Sequence, residues 1–324
     1  MRAVVLRQHG GPEALGIEHV PDPIVGPEEV LIDIAATALN RADLLQVMGL
    51  YPGPKSEFEI PGLEFSGTVV SRGDRAALWP IGAAVMGIVG GGAYAEKVAV
   101  HERQLMAVPK VVPLADAAAI PEVFLTAWDA LVVQGGLTAG RWALIHAGAS
   151  GVGTAGIQIA KAIGARVVVT CSAGKADACR SLGADIVLER SPHDWLADVQ
   201  AQIPGGVNVI LDVIGGDEVD RNLKAVALQG SIVQVGTMGT GQPVVNLGLL
   251  MMKRLRYIGT VLRARPLEEK VALTRRFATE MLPLFDTGVL KPVIDSRYAF
   301  DDIADAHRAM GANANVGKIV VTLR

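Results

Sequence analysis

The stretch from 141 to 175, RWALIHAGASGVGTAGIQIAKAIGARVVVTCSAGK, constrains the fold of this chain more than any other. An apolar run, Trp142 to Ala147, meets a glycine-rich turn. An amphipathic segment from Thr154 to Ile163 follows, and then a second β-branched run, Val167 to Thr170. That order predicts a strand, a turn, a helix and a second strand. In such a unit, free backbone N–H groups and the helix dipole meet at the helix N-terminus, where both favour the pyrophosphate of a dinucleotide.

The turn reads GASGVG over 148–153. Gly148 permits a tight exit from the strand, Gly151 lets backbone approach a phosphate, and Gly153 lets the helix sit close to the sheet. Ser150 stands where the dinucleotide fingerprint has its second glycine, and its hydroxyl can donate to phosphate. A shifted frame gives a literal G-x-G-x-x-G at 151–156, and an ordinary tight turn also needs glycine. The weight comes from the position between a predicted strand and a predicted helix.

An NAD site usually carries Asp or Glu about 20 residues further on, where it accepts from the ribose 2′-hydroxyl. Here the end of the second strand reads Thr170-Cys171-Ser172-Ala173-Gly174-Lys175, with a hydroxyl and a cation but no carboxylate. Ser172 and Lys175 suit a 2′-phosphate, and Arg190, after the third strand, offers a second cation. Both cations also read as solvated surface charges. NADPH is the expected cofactor.

At 324 residues the chain is long enough for two domains, each with its own core. Half of it is hydrophobic and 19% charged, a globular composition. Net charge is −3 and the 30 Lys and Arg are dispersed, which argues against nucleic acid or an anionic membrane as partner. The start, MRAVVLRQHGG, lacks the apolar core and cleavage site of a signal peptide. The uncharged stretches 76–95 and 142–160 are too interrupted by glycine to read as membrane spans. Two cysteines, Cys171 and Cys179, make no disulfide framework, so a cytoplasmic setting is expected.

Short β-type runs punctuated by Gly and Pro fill the first hundred residues: RAVVL (2–6), EEVLIDIAATAL (28–39), GTVV (67–70), AAVMGIV (83–89) and YAEKVAV (94–100). They suggest a small barrel or sandwich. Ala-rich helical patterns follow over 114–134, broken by Pro121. Strands are then expected at 142–147, 166–170, 186–188, 207–212, 230–235 and 256–260. Helices are expected between them at about 152–163, 174–182, 194–202 and 217–227. Such alternation implies a parallel sheet with ligand bound outside its carboxyl ends. A long helix (267–286), a short one (301–310) and a strand, GKIVVTL (317–323), complete the chain. The last is expected to fold back onto the first domain.

A structural or catalytic zinc needs thiolate and imidazole ligands in tetrahedral geometry. No cysteine precedes residue 171, and the histidines at 9, 19, 101, 146, 193 and 307 form no ligand-spaced pair. Cys171 and Cys179 read as buried thiols. No metal is expected, so the substrate should accept hydride without a Lewis acid, as a quinone or conjugated enone does.

The motifs ALNRAD (38–43), PGLEFSG (61–67), GGGAYAE (90–96), AAAIPEVFLTAWDAL (117–131) and HAGASGVGT (146–154), taken in order, resemble the quinone oxidoreductase branch of the zinc-independent medium-chain dehydrogenase/reductases. Within it the chain is most similar to the p53-inducible quinone oxidoreductase group. The resemblance runs from Met1 to the terminal GKIVVTL. It implies an α/β protein with a GroES-like β-barrel catalytic domain (1–122 and 264–324) and a Rossmann domain, a doubly wound parallel sheet, at 123–263. It also implies a cofactor cleft at their junction, NADPH-dependent one- or two-electron reduction of quinones, and a homodimer.

In the zinc-bearing relatives, Asn40 stands where a cysteine ligand would be and Leu63 where a histidine would be. Carried over, Asn40 and Tyr51 face nicotinamide and substrate, and Thr126 touches the nicotinamide region. Gly148 and residues Ser150, Gly151, Val152 and Gly153 hold the pyrophosphate, and Ser172 and Lys175 the adenosine phosphate. Backbone around Gly236–Met238 meets the carboxamide. The family often has Tyr where this chain has Arg190. The residues also have plainer readings: Asn40 as an N-cap before ADLLQV, Tyr51 packed under its loop, Thr126 bonded back to its own helix.

The expected reaction is direct hydride transfer from NADPH to a quinone, with Tyr51 or solvent as proton source. A rival is reduction of an enone or enoyl thioester, in which Arg263 and Arg265 would receive a phosphopantetheine or CoA arm. A third reading is an NADPH-binding protein with little turnover.

Overall fold

The computed structural model describes residues 1–54, 56–190, 194–243 and 245–323. His193 lies outside them. The chain packs into two compact units, Met1–Leu125 with Arg263–Arg324, and Thr126–Leu262.

The first unit begins with β1 (Arg2–Leu6) paired antiparallel to β2 (Leu15–His19). Next come β3 (Glu29–Ala38), α1 (Arg41–Val47), β4 (Glu64–Arg72), β5 (Ala84–Ile88), β6 (Lys97–His101) and β7 (Leu105–Ala107). In β3, buried and half-buried residues alternate up to Ala35, the mark of a strand with one covered face. Its buried Val30, Ile32 and Ile34 pack with Phe65, Val69, Val85, Val98 and Val100. Helix α2 (Pro121–Trp128) starts at the proline that breaks the Ala-rich stretch and continues as a π-helical turn over Asp129–Gln134.

The second unit alternates as the sequence implies: β8 (Trp142–Ile145), α3 (Gly151–Ala162), β9 (Arg166–Cys171), α4 (Ala176–Ser181), β10 (Ile186–Glu189), α5 (Trp195–Gln202), β11 (Val207–Asp212), α6 (Glu218–Ala225), β12 (Val226–Gln234), α7 (Leu247–Lys253) and β13 (Arg256–Gly259). All pairings are parallel, in the order β10-β9-β8-β11-β12-β13. Numbered within this sheet, that is 3-2-1-4-5-6, the doubly wound dinucleotide-binding topology. Val167, Val168 and Val169 are wholly buried, as strands covered on both faces require. Strand β12 begins four residues earlier than the sequence suggested, and α7 had no clear sequence signal.

The chain returns to the first unit through α8 (Leu267–Glu280), α9 (Pro283–Asp286), β14 (Ile294–Ala299), α10 (Ile303–Gly311) and β15 (Lys318–Thr322). The single helix expected over 267–286 is therefore two. Pro283 has no N–H to donate, and its ring collides with the carbonyl a turn earlier, so α8 stops before it. Strand β15 pairs antiparallel with β3, which brings the chain's end back to its first domain.

Candidate active site

The nucleotide loop forms at the carboxyl end of β8. Ala147 takes a left-handed φ of 54°, and the Gly148 N–H donates to the Thr170 carbonyl at 2.8 Å, tying the loop to β9. A Cβ on Gly148 would lie 2.6 Å from that of Val169, and one on Gly153 would lie 2.3 Å from the Ala147 carbonyl oxygen. Only glycine lets strand, loop and helix approach this closely. Ser150 caps α3, its Oγ accepting from the Gly153 N–H at 3.0 Å. That bond uses the oxygen as acceptor and leaves the hydroxyl proton to donate elsewhere. The first-turn N–H groups of Gly151 and Val152 have no acceptor within the helix. Cradle, cap and helix N-terminus fit the pyrophosphate of a dinucleotide.

At the ends of β9 and β10, the Arg190 N–H donates to the Cys171 carbonyl at 3.0 Å, and the Lys175 N–H to that of Ser172 at 3.2 Å. Ser172, Lys175 and Arg190 thus share one edge of the sheet. Ser172 and Arg190 are exposed and Lys175 is half-buried. The Arg190 guanidinium lies 3.6 Å from a Glu218 carboxylate oxygen, a partner the sequence did not reveal. Beyond β12, the Met238 and Gly239 N–H groups donate to the Val213 and Ile214 carbonyls at 3.3 and 2.7 Å, which docks the Gly236–Met238 loop beside the end of β11.

A buried polar chain under these loops was missed in the sequence. His146 is 1% exposed. Its Nδ1 lies 2.9 Å from Thr170 Oγ1, and its Nε2 lies 2.8 Å from Asn222 Oδ1. Since Asn222 offers an acceptor, Nε2 carries the proton and Nδ1 accepts from the threonine. Asn222 donates in turn to Asp212 Oδ2 at 2.9 Å, while Asp212 Oδ1 accepts from the N–H groups of Ile214 and Gly215 at 2.6 and 3.0 Å. His146 also sits edge-on to Trp195, whose indole N–H donates to Glu218. The exits of β8, β9 and β11 are fixed to one another.

In the first unit, Asn40 is buried and both ends of its carboxamide are occupied. Its Nδ2 donates to Glu64 Oε1 at 2.9 Å and to the Ala38 carbonyl at 3.2 Å, and its Oδ1 accepts from Lys318 Nζ at 2.6 Å. The Lys318 ammonium lies 2.7 Å from Glu64 Oε1, and Glu64 Oε2 accepts from the Glu122 N–H at 2.8 Å. The Asn40 N–H donates to Asp43 Oδ2 at 2.7 Å, one half of the capping arrangement the sequence suggested. Burial pushes the Asp43 carboxyl up to about 7, against the pull of that N–H and of Lys318. Leu63 is a core residue.

Tyr51 follows α1 and is half-buried, with the Arg263 guanidinium 4.8 Å from its ring centroid. Burial pushes the phenol above its ordinary value, and the Arg263 charge works against that rise. Thr126 is half-buried on α2. Arg263 donates to Gly90, Tyr51 and Gln46 within this unit, which corrects the view of it as an outward cation for a thioester arm.

The described residues contain no group of three or more His, Cys, Asp or Glu side chains that could hold a metal ion. A buried ammonium, Lys318, already neutralises Glu64, and Cys171 and Cys179 are buried against each other. A zinc ion does not fit these residues. No described helix is long and apolar enough to cross a membrane.

Residues 26–110 match the alcohol dehydrogenase GroES-like domain and residues 151–279 the zinc-binding dehydrogenase family. Acryloyl-coenzyme A reductase of Sulfurisphaera tokodaii is 29% identical, with 99% of each chain covered. The solved structure of an NAD-dependent alcohol dehydrogenase superposes with a TM-score of 0.90 at 29% identity over the whole of both chains. Escherichia coli quinone oxidoreductase complexed with NADPH gives 0.90 at 26% identity, covering 99% of this chain and 100% of its own. Together with the 3-2-1-4-5-6 sheet and its glycine loop, these matches identify the chain as an oxidoreductase of the medium-chain dehydrogenase/reductase family, with a GroES-like domain and a Rossmann-type nicotinamide-cofactor domain.

Proposed function

We propose that this protein is a cytoplasmic, metal-independent NADPH:quinone oxidoreductase, allied to the p53-inducible group and working as a homodimer. The observation that carries the reading is the β9–β10 edge, where Ser172, Lys175 and Arg190 gather and no carboxylate occupies residues 170–175. A 2′-phosphate gains charge-assisted hydrogen bonds there, and residues 170–175 hold no acid to accept from a 2′-hydroxyl. Likeness to the E. coli quinone oxidoreductase supports the substrate class.

When bound, NADPH would supply the hydride for reduction of a quinone. The chain's own groups hold and orient. The Ser150 hydroxyl and the N–H groups of Gly151 and Val152 bind the pyrophosphate, with Gly148 and Gly153 keeping the loop close. Backbone at Gly236 and Met238 takes the carboxamide, and Thr126 meets the nicotinamide region. Asn40, locked between Glu64 and Lys318, is assigned to shaping the site and not to moving a proton. The raised Tyr51 phenol stays protonated at neutral pH and so can donate to the reduced oxygen.

Exposed Leu247, Met251 and Met252 of α7, exposed Val261 just past β13, and the position of β13 at the end of its sheet support pairing with a second copy.

The second reading, enoyl thioester reduction, draws on the Sulfurisphaera relative. The inward bonds of Arg263 remove one of the two cations that would receive a CoA arm. Rates with 1,4-naphthoquinone and crotonyl-CoA, each with NADPH and NADH, separate the readings. The expected result is turnover of the quinone with NADPH. Preferred turnover of the thioester overturns the quinone reading, and stoichiometric cofactor binding without turnover of either favours a binding protein.

A further inference from the structure

We propose that Arg263 is the positioning residue for Tyr51, holding its loop and its ring face so that the phenol is presented in one orientation. This rests on the reading of Tyr51 as proton donor. Arg263 donates from Nε to the Gly90 carbonyl at 2.6 Å, from Nη1 to the Tyr51 carbonyl at 3.3 Å, and from Nη2 to Gln46 Oε1 at 2.9 Å. Three segments of the first unit therefore meet on one side chain: the end of α1, the loop after it, and the glycine turn after β5.

Gln46 is 1% exposed and bonds onward to Glu59 Oε1 at 3.0 Å, so the far side of the clamp is itself fixed. Gly53, two residues past Tyr51, leaves room for the fork, since a Cβ there would lie 3.0 Å from Arg263 Nη2. The same flat guanidinium lies over the Tyr51 ring, 4.8 Å from its centroid, a cation–π contact that half-burial strengthens. Lysine cannot replace this arrangement. A compact ammonium offers no planar face and no fork reaching three acceptors at once.

The positive charge beside the ring also favours the phenolate, so its loss raises the pH at which Tyr51 titrates. The titration reports the charge beside the ring, and a loss of turnover that vanishes once Tyr51 is Phe is the readout which a merely structural arginine would not give. The experiment compares the wild type, Arg263→Gln, Arg263→Lys, Tyr51→Phe and the Arg263→Gln/Tyr51→Phe double variant. Each is measured for naphthoquinone turnover with NADPH and by ultraviolet difference titration of tyrosine. Subtracting the Tyr51→Phe curve isolates the Tyr51 component.

Arg263→Gln is expected to lower kcat about ten- to a hundred-fold, with KM for NADPH within about twofold of wild type. It moves the Tyr51 titration upward and adds no further loss once Tyr51 is Phe. Arg263→Lys keeps the titration near wild type but still loses turnover, and it decides the matter if the glutamine variant fails to fold.

An unmoved titration, or the same loss of turnover with and without the phenol, overturns the proposal. Wild-type turnover in Tyr51→Phe alone would instead remove the donor reading. In that case a titration that still shifts in Arg263→Gln retains the clamp, and one that stays put rejects it.

Discussion

The nucleotide loop and the Tyr51–Asn40 region reach their order by opposite routes. The loop is local: Gly148, Ser150 and Gly153 lie within six residues, and each answers to a neighbour in the same strand–turn–helix unit. The Tyr51–Asn40 region is assembled from distant chain. Lys318 reaches Asn40 across 278 residues and Arg263 reaches Gln46 across 217. A local site tolerates change elsewhere and fails on a single added methyl. A site built from distant charges loses stability when one partner goes, because the other is left buried and alone.

Lys318→Met tests that contrast most severely. It leaves the Glu64 carboxylate, which is 0% exposed, without its cation. Breaking such a pair costs about 3–5 kcal/mol. Denaturant unfolding should show that loss, while calorimetric affinity for NADPH in the folded protein stays within about twofold of wild type. An equal loss of cofactor affinity would mean the two regions are not separable.

Gly153→Ala is the converse. Its methyl would press on the Ala147 carbonyl oxygen at 2.3 Å, so overpacking should cost about 3 kcal/mol and remove measurable NADPH binding. Retained affinity would show that the loop is less tightly built than its contacts indicate.

Lys175→Ala sharpens the local side. Losing one charge-assisted contact to the 2′-phosphate costs about 1.5–3 kcal/mol, less for a half-buried lysine. KM for NADPH should rise about tenfold and that for NADH little, as initial rates with each cofactor would show.

The smallest effect is one of pH. Asp43 is raised to about 7 by burial, so in the window from about 4 to 7 the folded state binds more protons than the unfolded, and stability falls as pH rises. His307, which lies 3.1 Å from the Tyr94 hydroxyl and is lowered to about 4 by burial, has the opposite sign, adding stability as pH rises from about 4 to 6.5. The two offset each other. Asp43→Asn should therefore expose a melting temperature that climbs with pH over that window, where the wild type is nearly flat. A flat profile in the variant would show that His307 does not titrate as burial implies, and a profile unchanged from wild type that Asp43 does not.

What the sequence disclosed follows the same division. The parallel alternation of strands and helices and the glycine turn before α3 come from one continuous βαβ pattern, whose period and turn residues are visible along the chain, whereas the capping bond of Ser150 was not read there. His146 stood in plain view beside the loop, yet its partners Asn222 and Asp212 lie in other strand–helix pairs and no spacing announces them. Asn40 and Tyr51 came to notice through resemblance, not residue pattern. The tie of Asn40 to Glu64 and Lys318 depends on β15 folding back against β3, a pairing that says nothing of side-chain partners until it is built. The apolar pattern runs on through 267–286 as if one helix, but Pro283 ends α8 and opens α9.

The most direct test of the account is calorimetric titration of the purified wild-type protein, free of metal by elemental analysis, with NADPH and then with NADH. The account predicts one site per chain and binding of NADPH at least about tenfold tighter, the worth of one contact to the 2′-phosphate. Equal or tighter binding of NADH would contradict it.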